Sequence, residues 1–178
     1  DHRDLHSFPT RRSSDLEKVS AINGEGKVLW QHTVGASGGW TSITRGVSIA
    51  DLNADGAKDL AYLTGDGVFR VLNAKDGSVQ CEFNAGGVCG EGHVVSDSSN
   101  CPLIGDLDGD GLLDVFFVVG GGGNKKADGT KEPRFGRAIC VTGFAGKASP
   151  DNAWPMMRHD IRNSGNVRGP IESAKQAK

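Results

Sequence analysis

Residues 51–63, DLNADGAKDLAYL, and residues 106–118, DLDGDGLLDVFFV, carry one pattern twice. In each, oxygen-bearing side chains stand at loop positions 1, 3, 5 and 9, glycine stands at position 6, and a run of strand-forming residues follows. The first set is Asp51, Asn53, Asp55 and Asp59 with Gly56; the second is Asp106, Asp108, Asp110 and Asp114 with Gly111. Side chains at that spacing, folded inward by a sharp turn at glycine, suit a hard cation such as calcium, which takes about 6–8 oxygen ligands. The backbone carbonyl at position 7, here Ala57 or Leu112, supplies a further ligand in such loops. A single acidic turn reads as well as solvated surface; its return in the same context weighs against that. The pattern predicts two Ca2+ sites.

An EF-hand needs a bidentate glutamate at position 12 and a helix behind the loop. Tyr62 and Phe117 stand there instead, and the β-branched and aromatic residues around them favour strand. The loops therefore join strands, with Asp59 and Asp114 at the mouth of the strand that follows.

Outward from the loops the chain repeats. Lys18 to Trp30 reads as a strand, a turn at Asn23 and a second strand; Phe69 to Cys81 has the same shape; Ala138 to Gly146, leading to Trp154, is a looser third copy. Apolar stretches ending at Ala50 and Gly105 precede the acidic loops. One unit runs strand, acidic loop, strand, turn, strand, Asn-and-Gly turn, strand, over about 50 to 70 residues. The 27 glycines, far above the average share of about 7%, supply the tight turns of an all-β chain. Four antiparallel strands at this period predict blades of a β-propeller. A β-sandwich is the alternative, but it gives no reason for the acidic loop to return at the same place. About 2.5 blades are predicted, where a closed propeller needs about 4–8. Residues 17–45 end one blade, 46–100 form a complete blade and linker, 101–168 form the last blade, and 169–178 are a mobile polar tail. On this reading the chain is the C-terminal part of a larger protein.

Residues 1–16, DHRDLHSFPTRRSSDL, read in one frame as a translated sequencing adapter and are set aside from the fold. The net charge of −2 gives no electrostatic footprint for nucleic acid. No apolar run approaches the ~18 residues of a membrane span. No Ser-His-Asp set or Gly-x-Ser-x-Gly elbow is evident, so His32, His93 and His159 read as surface residues and no catalytic residue is assigned. Gly120–Gly123 lacks the Lys-Ser/Thr and helix of a phosphate-binding loop and reads as a flexible loop.

The acidic loops between first and second strands resemble the integrin-like, FG-GAP or VCBS class of calcium-binding propeller repeats. That resemblance covers nearly all of residues 17–165, although only Phe135-Gly136 echoes the Phe-Gly…Gly-Ala-Pro signature. It implies that the two acidic sets chelate calcium. The strand pair ending at Trp30 is also similar to blades of quinone-type propellers, in which such a tryptophan docks between neighbouring blades, with Cys81 at the corresponding place in the next. The ending from Trp154 to Gly165 is similar to segments that finish secreted bacterial propellers.

The implied protein is a secreted, cell-surface or periplasmic module that binds protein or carbohydrate, its calcium structural. The alternative is a propeller enzyme, a quinone-dependent dehydrogenase or polysaccharide lyase, with catalytic residues outside this chain. Strand alternation puts the calcium loops on one face with the turns at Asn23 and Asn73. The opposite face receives the long segments with Trp40, His93 and Lys125, where ligand recognition is expected. Cys81, Cys89, Cys101 and Cys140 contain no Cys-x-x-Cys pair, which argues against zinc. Their even number fits disulfides outside the cytosol, Cys89 with Cys101 and Cys81 with Cys140, with free buried thiols as the alternative.

Overall fold

The computed structural model describes residues 18–35, 43, 46–89, 95–97, 101–123, 127–149 and 153–154. The expectations for residues 1–16, Trp40, His93, Lys125, His159, the ending beyond Trp154 and the tail lie outside these residues. Those described are all-β apart from one short helix.

Strands β1 (Lys18–Ile22) and β2 (Val28–Thr33) form a hairpin. Asn23 closes it, its Oδ1 accepting the backbone N–H groups of Glu25 and Lys27 at 3.0 and 2.9 Å, the local bonding that makes asparagine a turn residue. Strands β3 (Ser48–Ala50), β4 (Asp59–Leu63), β5 (Val68–Leu72) and β6 (Val79–Asn84) follow as an antiparallel meander. This is the unit predicted from the sequence, with the first acidic loop between β3 and β4. Helix α1 (Ala85–Cys89) and strand β7 (Val95–Asp97) then occupy part of the segment expected to be a long loop.

The third sheet is built on β9 (Asp114–Gly121). Strand β10 (Phe135–Val141) pairs along one side of it, while β8 (Leu103–Gly105) and β7 lie end to end along the other. The second acidic loop joins β8 to β9. Gly120 and Gly121 are not a free loop: both lie in β9, paired with Gly136 and Phe135, and the Gly123 N–H donates to the Glu132 carbonyl at 3.0 Å. The looser third copy also departs from expectation. After β10 the chain does not add a further described strand to this sheet. Residues 146–148 run to the acidic loops, and β11 (Ala153–Trp154) pairs with the free edge of β3 in the meander.

The meander lies between the other two sheets, because alternate residues of its strands face opposite ways. Ala61, Leu63, Phe69 and Val71 pack with Ile104, Val115, Phe117 and Val119 of the third sheet. Phe69 and Phe117 stack at 4.9 Å between ring centroids, and Phe83 lies 5.3 Å from Phe69. Each such buried ring contributes about 1.5–3 kcal/mol by leaving water. On the other face, Tyr62 and Leu72 pack with Val34, Val19 and Trp30 of the hairpin end.

Trp30 does dock on the neighbouring sheet. Its Nε1 donates to the Ala74 carbonyl at 2.8 Å, and its ring covers Gly77, where an added Cβ would come within 2.5 Å of Trp30 Cε3. Cys81, third in β6 as Trp30 is third in β2, packs against the core shared with the third sheet.

The cysteine pairings are not formed. Cys81, Cys101 and Cys140 are free thiols. Cys81 and Cys140 sit on the outer strands of two different sheets, and Cys101 lies against the Ser48 hydroxyl at 3.1 Å. Burial pushes the Cys101 thiol above its ordinary pKa, which keeps it protonated.

His32, in β2, has a buried Nε2 with no partner. Burial, then the nearby Arg70 guanidinium, holds its pKa below the ordinary 6.5, against a smaller opposing pull from Glu82. A histidine that titrates lower when folded opposes folding once the unfolded chain takes up its proton. Its contribution is therefore complete above its unfolded pKa and declines as pH falls through 6.5 toward the folded value. His32→Gln is expected to flatten the loss of urea stability between pH 7.5 and 5.5; an unchanged slope would remove His32 as its source.

Candidate metal centre

Both acidic loops are wound around their own backbone. In the first, Asp51 accepts the N–H of Asp55 on Oδ1 and of Gly56 on Oδ2, at 3.1 and 3.0 Å. Asp55 Oδ1 accepts the Ala57 N–H at 2.8 Å. In the second, Asp106 accepts the N–H of Gly109 and of Gly111 at 2.7 and 3.0 Å, and Asp110 Oδ1 accepts the Leu112 N–H at 2.7 Å. Gly56 and Gly111 have φ of 84° and 86°, the left-handed turn expected at position 6. Position 4 needs that region as well: Gly109 has φ 85°, and Ala54 adopts φ 62° despite its Cβ. The sequence reading missed this second turn.

The ninth residue anchors each loop from below. Asp59 and Asp114 are buried at the first position of β4 and β9. Asp59 Oδ2 accepts the N–H of Leu52 at 2.9 Å and of Asn53 at 3.3 Å, and its Oδ1 accepts Gln80 Nε2 at 2.7 Å. Asp114 Oδ2 accepts the Leu107 N–H at 2.9 Å. Burial raises the Asp59 pKa above the ordinary carboxylate value, while the Leu52 and Gln80 hydrogen bonds pull it back.

Convergence separates the two loops. Asp106, Asp108 and Asp114 bring carboxylate oxygens within 4.8 Å of one another. Oxygens so spaced can share one Ca2+ at the usual distances of about 2.3–2.6 Å, so this donor set fits a hard cation. Asp110 stands outside that group, and among the described residues the carboxylates of Asp51, Asp55 and Asp59 do not converge in this way. The Leu112 backbone lies against the strap at residues 146–148. It bridges Lys147, with the flanking bonds running from Leu113 N–H to Gly146 O and from Ala148 N–H to Gly111 O. Its own carbonyl therefore faces away from that strand, as its N–H does toward Asp110.

Two protein segments meet the loops, and sequence reading had assigned neither to the site. The turn between β5 and β6 reaches the first loop: Lys75 Nζ lies 3.0 Å from Asp55 Oδ2, and Asn73 Nδ2 lies 3.3 Å from the same oxygen. The Ala57 N–H and the Lys75 ammonium hold the Asp55 carboxyl down at about 2. The shared face of acidic loop and Asn-and-Gly turn is thus visible as contact. The other segment is a strap at Gly146, whose N–H donates to Leu52 O in the first loop at 2.8 Å while its carbonyl accepts Leu113 N–H in the second at 2.7 Å. Searches of family models, curated proteins and solved structures gave no match to this chain.

Proposed function

We propose that the chain is part of a calcium-stabilised β-propeller of the FG-GAP or VCBS kind, serving outside the cytosol as a binding module for a protein or carbohydrate. The observation that carries this is the convergence of Asp106, Asp108 and Asp114 at the mouth of β9. Its setting supports the reading: antiparallel sheets packed face to face, with an acidic loop at the same corner of two of them. The calcium is structural. Its carboxylates repel one another without a cation, and an ion bound only by the folded chain adds stability by mass action. At free calcium tenfold above the dissociation constant the gain is about 1.4 kcal/mol.

Calcium titration with calorimetry and thermal melting tests this. Calcium is expected to raise the melting temperature by a few degrees, a chelator to reverse it, and Asp108→Ala to abolish the effect. Equal melting curves with calcium and chelator would remove the proposal.

A further inference from the structure

We infer that Lys75 is the built-in cation of the first acidic loop, so that this loop closes without metal and the second takes calcium first. The inference rests on the calcium reading above and concerns how the two loops differ.

The loops match in sequence pattern and in backbone turns, yet their carboxylates have different company. In the first, Asp55 Oδ2 is shared by the Lys75 ammonium at 3.0 Å and the amides of Asn73 and Asn53, each at 3.3 Å. Lys75 Nζ also lies 3.4 Å from the Asp55 backbone carbonyl. Both oxygens of Asp59 are taken, one by two backbone N–H groups and the other by Gln80. A divalent ion entering this loop has to displace the ammonium from Asp55 and compete with the Gln80 amide at Asp59. In the second loop the bonds to Asp106, Asp108, Asp110 and Asp114 among the described residues all come from backbone N–H groups. These leave further lone pairs on each carboxylate, and three of the four carboxylates already converge.

Lys75 comes from the β5–β6 turn, not from the loop. One ammonium therefore offsets the Asp55 charge and ties the loop to the next turn of the same sheet, a task that metal would otherwise perform. Removing one positive charge beside a site that binds a divalent cation strengthens binding, since affinity in such loops follows their charge.

The test uses the full chain with Asp108→Ala, which removes a converging ligand and silences the second loop so that the first is read alone. Lys75→Met keeps most of the side-chain stem and removes the charge; Lys75→Arg keeps the charge. In the Asp108→Ala background, calcium affinity by calorimetry, checked by terbium luminescence, is expected to rise about tenfold or more with Lys75→Met and to stay low with Lys75→Arg. With chelator present, Lys75→Met is expected to melt below the parent chain. Unchanged affinity with Lys75→Met would overturn the inference while the calcium reading stands, provided the chain with Asp108 intact still binds. Two equally tight sites in the unsubstituted chain would overturn it as well. No binding in any variant would overturn both.

Discussion

Gly146→Ala is expected to cost about 3 kcal/mol or more in urea unfolding. A Cβ at this position would stand 1.9 Å from the Asp51 carbonyl oxygen and 3.0 Å from both Asp51 C and Leu52 Cα. All three are backbone atoms, so no side chain can swing aside to make room. Relief requires the strap to lift, which breaks the bond to Leu52 O and the bond from Leu113 N–H. Gly24→Ala is the control, because its Cβ would meet nothing within 4 Å. Equal losses for the two variants would show that the strap does not hold the acidic loops.

Asp59→Ala is expected to cost a similar amount, about 3 kcal/mol, because it takes the shared acceptor from one buried and two part-buried hydrogen bonds. Leu52 N–H, Asn53 N–H and Gln80 Nε2 all point at a carboxylate with no solvent exposure. Asp114→Ala is expected to cost less in chelator, since Asp114 accepts one backbone N–H. A reversed order in metal-free unfolding would place the larger structural role on the second loop. Asp59 also leaves a sign in the pH dependence. Its folded pKa is raised, so its ionisation works against the fold, and its share of stability declines as pH rises from the ordinary carboxylate value toward the folded one. Asp55 works oppositely: its depressed pKa supports the fold at neutral pH, and that support is lost as pH falls toward 2.

The meander was readable because its residues obey local rules. Alternation along Asp59–Leu63 and Val68–Leu72 marks two buried faces, and the turns at Asn23 and Asn73 announce themselves through asparagine and glycine. The strap at Gly146 was not readable, since its partner, Leu52, is distant in sequence and nothing in Thr142–Ser149 names it. The asymmetry of the acidic loops was hidden for a related reason. Pattern shows which oxygens are present, whereas Lys75 and Gln80, supplied by other strands and turns, decide which are free. The disulfide expectation failed because an even count says nothing of distance, and Cys81 and Cys140 belong to different sheets.

The pairing of β11 with β3 carries a consequence for the order of folding. In a stack of independent repeats each unit can form as soon as it leaves the ribosome, because it touches only its neighbours. Here the first strand of the meander waits for residues 153–154, made after the whole third sheet. Until then the outer edge of β3 shows unpaired backbone groups, the usual template for misassociation between chains. So distant a partner also raises the mean sequence separation of native contacts, which slows folding. Synthesis of β11 is thus the step that closes the exposed edge of a sheet begun about a hundred residues earlier.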